Sequence, residues 1–197
     1  TETLRAVFLD PLSEHPQDST TLAKRREPGD RVASLARQFN FTVPDEQYFN
    51  AGFRLQSFVN QHPLTSPSVF NFYLPTFSPP GLLSSMGLVA PEFQITNSNT
   101  IFGITNQLDL GVFLDGGLFD AWEPVDTGEL DLSSYVHIAD DPDELMRRLD
   151  IVMTYGHMSP EARQVIMDAI AWMPDPLMRV QHALYLTALS PDYAVED

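Results

Sequence analysis

Residues 141–189, DPDELMRRLDIVMTYGHMSPEARQVIMDAIAWMPDPLMRVQHALYLTAL, decide the fold. One start signal occurs three times in them, as Asp141-Pro142-Asp143-Glu144, Ser159-Pro160-Glu161 and Asp175-Pro176. Each sets a short oxygen-bearing side chain where it can accept a bond from the free N–H groups of a helix's first turn. Proline follows at the first helical position, where its missing N–H costs nothing and its fixed φ is already helical. In the first two, acid occupies the first turn, where the helix dipole favours negative charge. The signals predict helices over about 142–155, 160–173 and 176–189. Leu145, Leu149 and Val152 stripe the first, with Gly156 as its C-cap; Val165, Ile166, Ala169 and Ile170 stripe the second. Leu177, Val180, Leu184 and Tyr185 stripe the third. Connections this short make neighbouring helices antiparallel or steeply crossed, so 141–197 reads as a three-helix unit.

Upstream, residues 66–95, SPSVFNFYLPTFSPPGLLSSMGLVAPEFQI, carry no Lys or Arg, and prolines at 67, 75, 79, 80 and 91 exclude a helix or strand of ordinary length. So apolar a loop is costly to leave in water. Residues 61–96 are therefore expected to form an ordered, extended connecting segment, pinned across a core by Phe70, Phe72, Tyr73, Phe77 and Phe93. Between this segment and the three helices, Thr96-Asn97-Ser98-Asn99 offers N-cap oxygens for a helix over about 98–113. Ile101, Ile104, Leu108 and Val112 would be its buried side. The rest of 97–140 is an acidic, glycine-broken loop from Asp115, tucked down by Phe119 and Trp122.

Residues 1–60 read as an N-terminal helical part. LRAVFLDP looks like a helix end closed at Asp10-Pro11, and 11–22 read as a loop. Pro28 opens a helix to about Phe39, striped by Val32, Leu35, Ala36 and Phe39. Around 45–60 the aromatic residues lack a clean period and Gly52 intervenes, which leaves helix and irregular structure both open. The sum is a mainly α-helical fold with long ordered loops, as a single domain or the C-terminal half of a larger protein. A start at Thr1, without methionine or signal peptide, is what a processed protein or a fragment would show.

Charge narrows the partners. The formal net charge is −16, and between Arg54 and Arg147 twelve Asp and Glu face no Lys or Arg. Such a surface repels nucleic acid and anionic lipid. No run of eighteen apolar residues is present to span a membrane. Without cysteine there is no disulfide, thiolate metal site or cysteine nucleophile. The acidic excess reads as a solvated face suited to a salty or extracellular medium, or as a surface for calcium, which takes carboxylate oxygens. Asp126, Glu129 and Asp131 in DTGELD are the candidate metal ligands, although EF-hand spacing is absent. Arg25, Arg26, Arg31 and Arg37 are expected to pair with the surplus acid.

No catalytic residue stands out. The five histidines stand in no metal-ligand spacing, and there is no GxSxG elbow, Walker loop or GxGxxG. Carboxylates are so frequent that pairs at glycosidase-like separation arise by chance. Glu92, the one acid of the apolar stretch, would have a raised pKa if buried, unless it caps a helix or pairs with an arginine. Trp122, Tyr73, Tyr135 and Glu92 are residue types that line a sugar groove. Glu92 and His157 are those that a hydrolase site shared with another part of the protein would use.

The blocks LRAVFLDP, RREP, SPSVFNFYLPTFSPPG, GLVAPEFQITN, RRLDIVMTYGHMSPEARQVIMDAI and RVQHALYLTALSPDYAV, in that order, resemble the C-terminal part of the bacterial domain of unknown function 1800 family. SVFNFY and APEFQI are the most specific, and the likeness runs over nearly the whole chain. The acidic loop around 109–140 is longer than the family's. The resemblance implies an exported protein, periplasmic or extracellular, with a further helical portion ahead of Thr1. It brings no catalytic residue with it. The function expected is a non-catalytic structural or interaction module, steadied by calcium, whose apolar segment docks on the missing N-terminal half or on another exported protein. Oligomeric assembly is compatible with that face. A carbohydrate-binding module and a hydrolase completed by the missing half are the alternatives.

Overall fold

The computed structural model of the chain describes residues 2, 3, 5, 24–42, 52–114 and 129–196. Its elements are β1 (Lys24–Arg25), α1 (Pro28–Gln38), α2 (Gly52–Val59), α3 (Leu82–Ser85), a 3-10 turn (Pro91–Ile95), α4 (Ser98–Phe113), α5 (Ser133–Val136), α6 (Pro142–Thr154), α7 (Pro160–Ile170), α8 (Pro176–Leu189), α9 (Pro191–Ala194) and β2 (Val195–Glu196). The fold is mainly α-helical. Among the described residues the one sheet is the antiparallel pair of β1 and β2, with Lys24 opposite Glu196 and Arg25 opposite Val195.

Each start signal works as the sequence predicts. The Asp141 carboxylate accepts from the Glu144 N–H at 3.1 Å, the Ser159 hydroxyl from Ala162 at 3.3 Å, and the Asp175 carboxylate from Met178 at 2.7 Å. A fourth signal of the same kind, Ser190-Pro191-Asp192, opens α9. Asn97 makes a full capping box for α4 with Thr100, each side chain bonding the other's backbone N–H.

Helix ends follow the tertiary setting instead. Pro174 disfavours helical backbone at the residue before it, and α7 stops at Ile170 rather than 173. The carbonyl of Met173 is taken by the Arg179 guanidinium at 2.9 Å. At the end of α6 the left-handed turn begins at Tyr155 (φ 56°) and continues into Gly156 (φ 84°), one residue earlier than expected. The Asp150 carboxylate fixes that turn by accepting from the Thr154 hydroxyl at 2.6 Å and from the Met158 N–H at 2.9 Å.

The segment left open at 45–60 contains α2, which packs on α4. The two cross at Gly103, where an added Cβ would lie 1.7 Å from the Phe58 carbonyl oxygen. The buried face of α4 therefore runs through Thr100, Gly103, Ile104, Gln107, Leu108, Gly111 and Val112. That path turns Ile101 out to half exposure, against the expected stripe. Val165 and Leu177 are likewise exposed, while Ile166, Ile170, Val180 and Leu184 are buried.

Helix α8 is the hub and touches α4, α5, α6, α7 and α9. One core joins Leu35 and Phe39 of the α1 region, Leu108, the α6 residues Leu145, Met146, Leu149 and Met153, Leu184 and Tyr193. Three-helix unit and N-terminal part thus share a single interior.

Candidate functional site

The block RREP, residues 25–28, holds the molecule together. Pro28 is the first residue of α1 and Glu27 its N-cap, but the Glu27 side chain does not cap. Its carboxylate turns outward and accepts from the Tyr73 hydroxyl, from Gln61 Nε2 and, at 3.5 Å, from Asn71 Nδ2. Burial raises the Tyr73 pKa, and the bond to Glu27 raises it further. Arg25 donates to the Thr96 hydroxyl and to the Glu92 carbonyl, and lies 5.2 Å from the centre of the Phe93 ring. Burial lowers the Arg25 pKa, opposed by the negative charge of Glu92.

Arg26 faces the other way. It is buried, lies 4.5 Å from the Tyr193 ring and 5.5 Å from the Tyr155 ring, and reaches the Met153 carbonyl at 3.5 Å. Arg31, also buried, donates to the Ala188 carbonyl, and the Tyr193 hydroxyl donates to the Arg31 carbonyl at 3.2 Å. Burial, with the charges of Arg25 and Arg26, pulls the Arg31 pKa down to about 10. Burial pushes Tyr193 up to about 12, against the pull of Arg26 and Arg31. A carbonyl oxygen and an aromatic face thus receive Arg31, where pairing with surplus acid was expected, while Arg25 keeps the charge of Glu92 beside it. The reason is position: Arg31 is buried, where backbone acceptors are nearest.

The same block corrects the reading of the apolar segment. Phe72, Tyr73, Phe77 and Phe93 are only half-buried and Phe70 is exposed, so aromatic burial does not pin it. Hydrogen bonds do. Besides those to Arg25 and Glu27, the Leu74 N–H donates to Gln94 Oε1 at 2.6 Å, Ser78 Oγ to the Leu88 carbonyl at 2.7 Å, and the Ala90 N–H to the Phe77 carbonyl at 2.8 Å. With its backbone held this way, the segment shows water Leu64, Val69, Phe70, Leu74, Leu82, Met86 and Val89.

The other expected site residues fall only partly within the described residues. Glu92 is buried on the 3-10 turn below Arg25, and its charge adds to the raised pKa of Tyr73. Tyr135 belongs to the core, its ring 5.2 Å from Phe39, so that face is not open to a sugar. Trp122 and Asp126 lie outside the described residues, as do Phe119, residues 11–22 and most of LRAVFLDP. Glu129 and Asp131 both line a 540 Å³ depression with Ser133 and His137. One Asp131 oxygen already accepts from the Ser133 N–H and hydroxyl, which lowers the Asp131 pKa. Among the described residues no three His, Asp or Glu are grouped to hold a metal.

His157 lies in the exposed α6–α7 turn and lines a 450 Å³ cleft with Arg26, Tyr155 and Asp192. Asp192 there accepts from the N–H and hydroxyl of Ser159, both at 2.8 Å, and so ties the start of α7 to α9. Sequence reasoning saw RREP but missed its role. The usable signal was three charged side chains set directly before a helix-opening proline, too close together to share one solvated face.

The fold and site define a helical protein that displays a long, hydrogen-bonded apolar loop. Residues 1–195 match the family described as Protein of unknown function (DUF1800), and the chain belongs to that family. No curated protein and no solved structure matches it. No helix of the described residues is long and apolar enough to cross a membrane.

Proposed function

We propose that this chain is an exported, non-catalytic interaction module, working in the periplasm or outside the cell, and that residues 64–89 are its docking surface. The observation that carries this reading is the exposure of seven large apolar side chains on a segment whose backbone is already bonded in place. From 55 to 96 the one charged residue is Glu92, which is buried. Large apolar side chains exposed together along one segment mark protein contact sites. A pre-ordered loop also loses little conformational freedom when a partner lands on it. The partner that fits is a protein with an apolar face and a positive rim, because a body of charge −16 attracts such a surface and repels copies of itself.

Sedimentation velocity tests the surface. Without its partner, the chain should stay monomeric at low salt and self-associate through this face once sodium chloride screens the mutual repulsion. Val69→Asp combined with Leu82→Asp should return it to monomer. A monomer at every concentration and salt would count against the docking surface.

Stabilisation by calcium is the second part of the proposal, resting on the acidic loop that carries Asp126, Glu129 and Asp131. Melting temperature should then rise more in millimolar calcium chloride than in sodium chloride of matched ionic strength, because specific binding adds to screening. Equal rises would assign the whole effect to screening and remove calcium from the reading.

A further inference from the structure

Between α7 and α8 lies a groove of 410 Å³. Ala162, Val165 and Ile166 wall it on one side and Leu186 and Leu189 on the other. Its charged residues are Glu161 and Asp192, both acidic. Val165 is 66% exposed, so apolar area in the groove remains uncovered by the described residues.

The hydroxyls at its end are already engaged. Ser159 Oγ donates to Asp192 and accepts from the Ala162 N–H. Ser190 Oγ donates to the Thr187 carbonyl at 2.7 Å and accepts from the Tyr193 N–H at 3.2 Å. Along the apolar walls an extended peptide would find no partners for its own N–H and C=O groups, which is costly away from water. A helix satisfies those groups internally and can set its side-chain ridge between two packed helices. Both bonds from Ser159 go to one Asp192 oxygen. Among the described residues the other oxygen and the Glu161 carboxylate have no donor, so both are available to a cation.

We propose that this groove docks an amphipathic helix of another protein, one with an apolar stripe and a Lys or Arg at the end that meets Glu161 and Asp192. The site is separate from the 64–89 surface and does not depend on it.

The test is fluorescence anisotropy of the full chain with three labelled peptides. The first is a helix of Leu, Ala and Lys with its leucines on one stripe. The second has the same composition with the leucines scattered, and the third carries Glu in place of Lys. The first should bind about tenfold or more tighter than the others, and Val165→Glu and Glu161→Lys should each weaken it by about tenfold or more. Both substitutions are at exposed positions, and circular dichroism verifies that the variants stay folded. The Val69→Asp/Leu82→Asp variant should bind the first peptide unchanged. Equal binding of the scattered peptide would show attraction by the −16 charge alone and overturn the proposal. No binding at millimolar peptide, or binding indifferent to Val165→Glu, would overturn it as well.

Discussion

Gly103→Ala should destabilise this chain by about 3 kcal/mol or more, a large effect for one methyl group. The new Cβ would lie 1.7 Å from the Phe58 carbonyl oxygen and 2.6 Å from its carbon. Both are backbone atoms, so no side-chain rotation relieves the clash. Helices α2 and α4 would have to separate, and Leu55, Val59, Ile104 and Leu108 around the crossing would lose contact. Urea denaturation measures the loss. Asn106→Ala, exposed on the same helix, should stay within about 0.5 kcal/mol of the parent. A Gly103→Ala chain as stable as that control would mean that the two helices do not cross there.

Tyr193→Ala should cost about 3–5 kcal/mol, a large share of a typical domain's stability. The ring is fully buried, 4.5 Å from the Arg26 guanidinium and 5.9 Å from that of Arg31. Removing it leaves a cavity and takes an aromatic face from two buried cations. Tyr193→Phe keeps the ring and loses the hydroxyl with its bonds to the Arg31 carbonyl and the Arg26 side chain, about 1–2 kcal/mol. Thermal melts of the pair separate the two contributions. Equal losses in both variants would show that the hydroxyl, rather than the ring, carries the stabilisation.

The parts legible in the sequence are those decided by neighbours in the chain. Asp141, Ser159 and Asp175 lie within three residues of the N–H groups they cap, so the helix starts could be read to the residue. The end of α6 could not, because the Asp150 carboxylate reaches forward to Met158 and places Tyr155 in the turn. Prolines at 67, 75, 79, 80 and 91 announced an irregular segment. Whether its phenylalanines are buried depends on what lies opposite, and the bonds that hold it come from Glu27, 44 and 46 residues away from Asn71 and Tyr73. Tyr135 is a case of the same kind: residue type suggested a sugar groove, while packing against Phe39 put it in the core. Arg26 and Arg31 turned out to be buried, since composition does not reveal direction.

The RREP clamp also dictates an order of events during synthesis. Arg26 bonds through its N–H to the Ala194 carbonyl, Arg31 to Ala188, and Arg25 stands opposite Val195 in the strand pair. These partners are made about 160–170 residues later, so residues 25–31 have nothing to close on until residues 188–195 have emerged from the ribosome. Local helices can form as they emerge, but this closure has to wait for α9 and β2. Until then Arg26 and Arg31 travel without their final contacts. A polypeptide stopped before Ala194 would never acquire the latch.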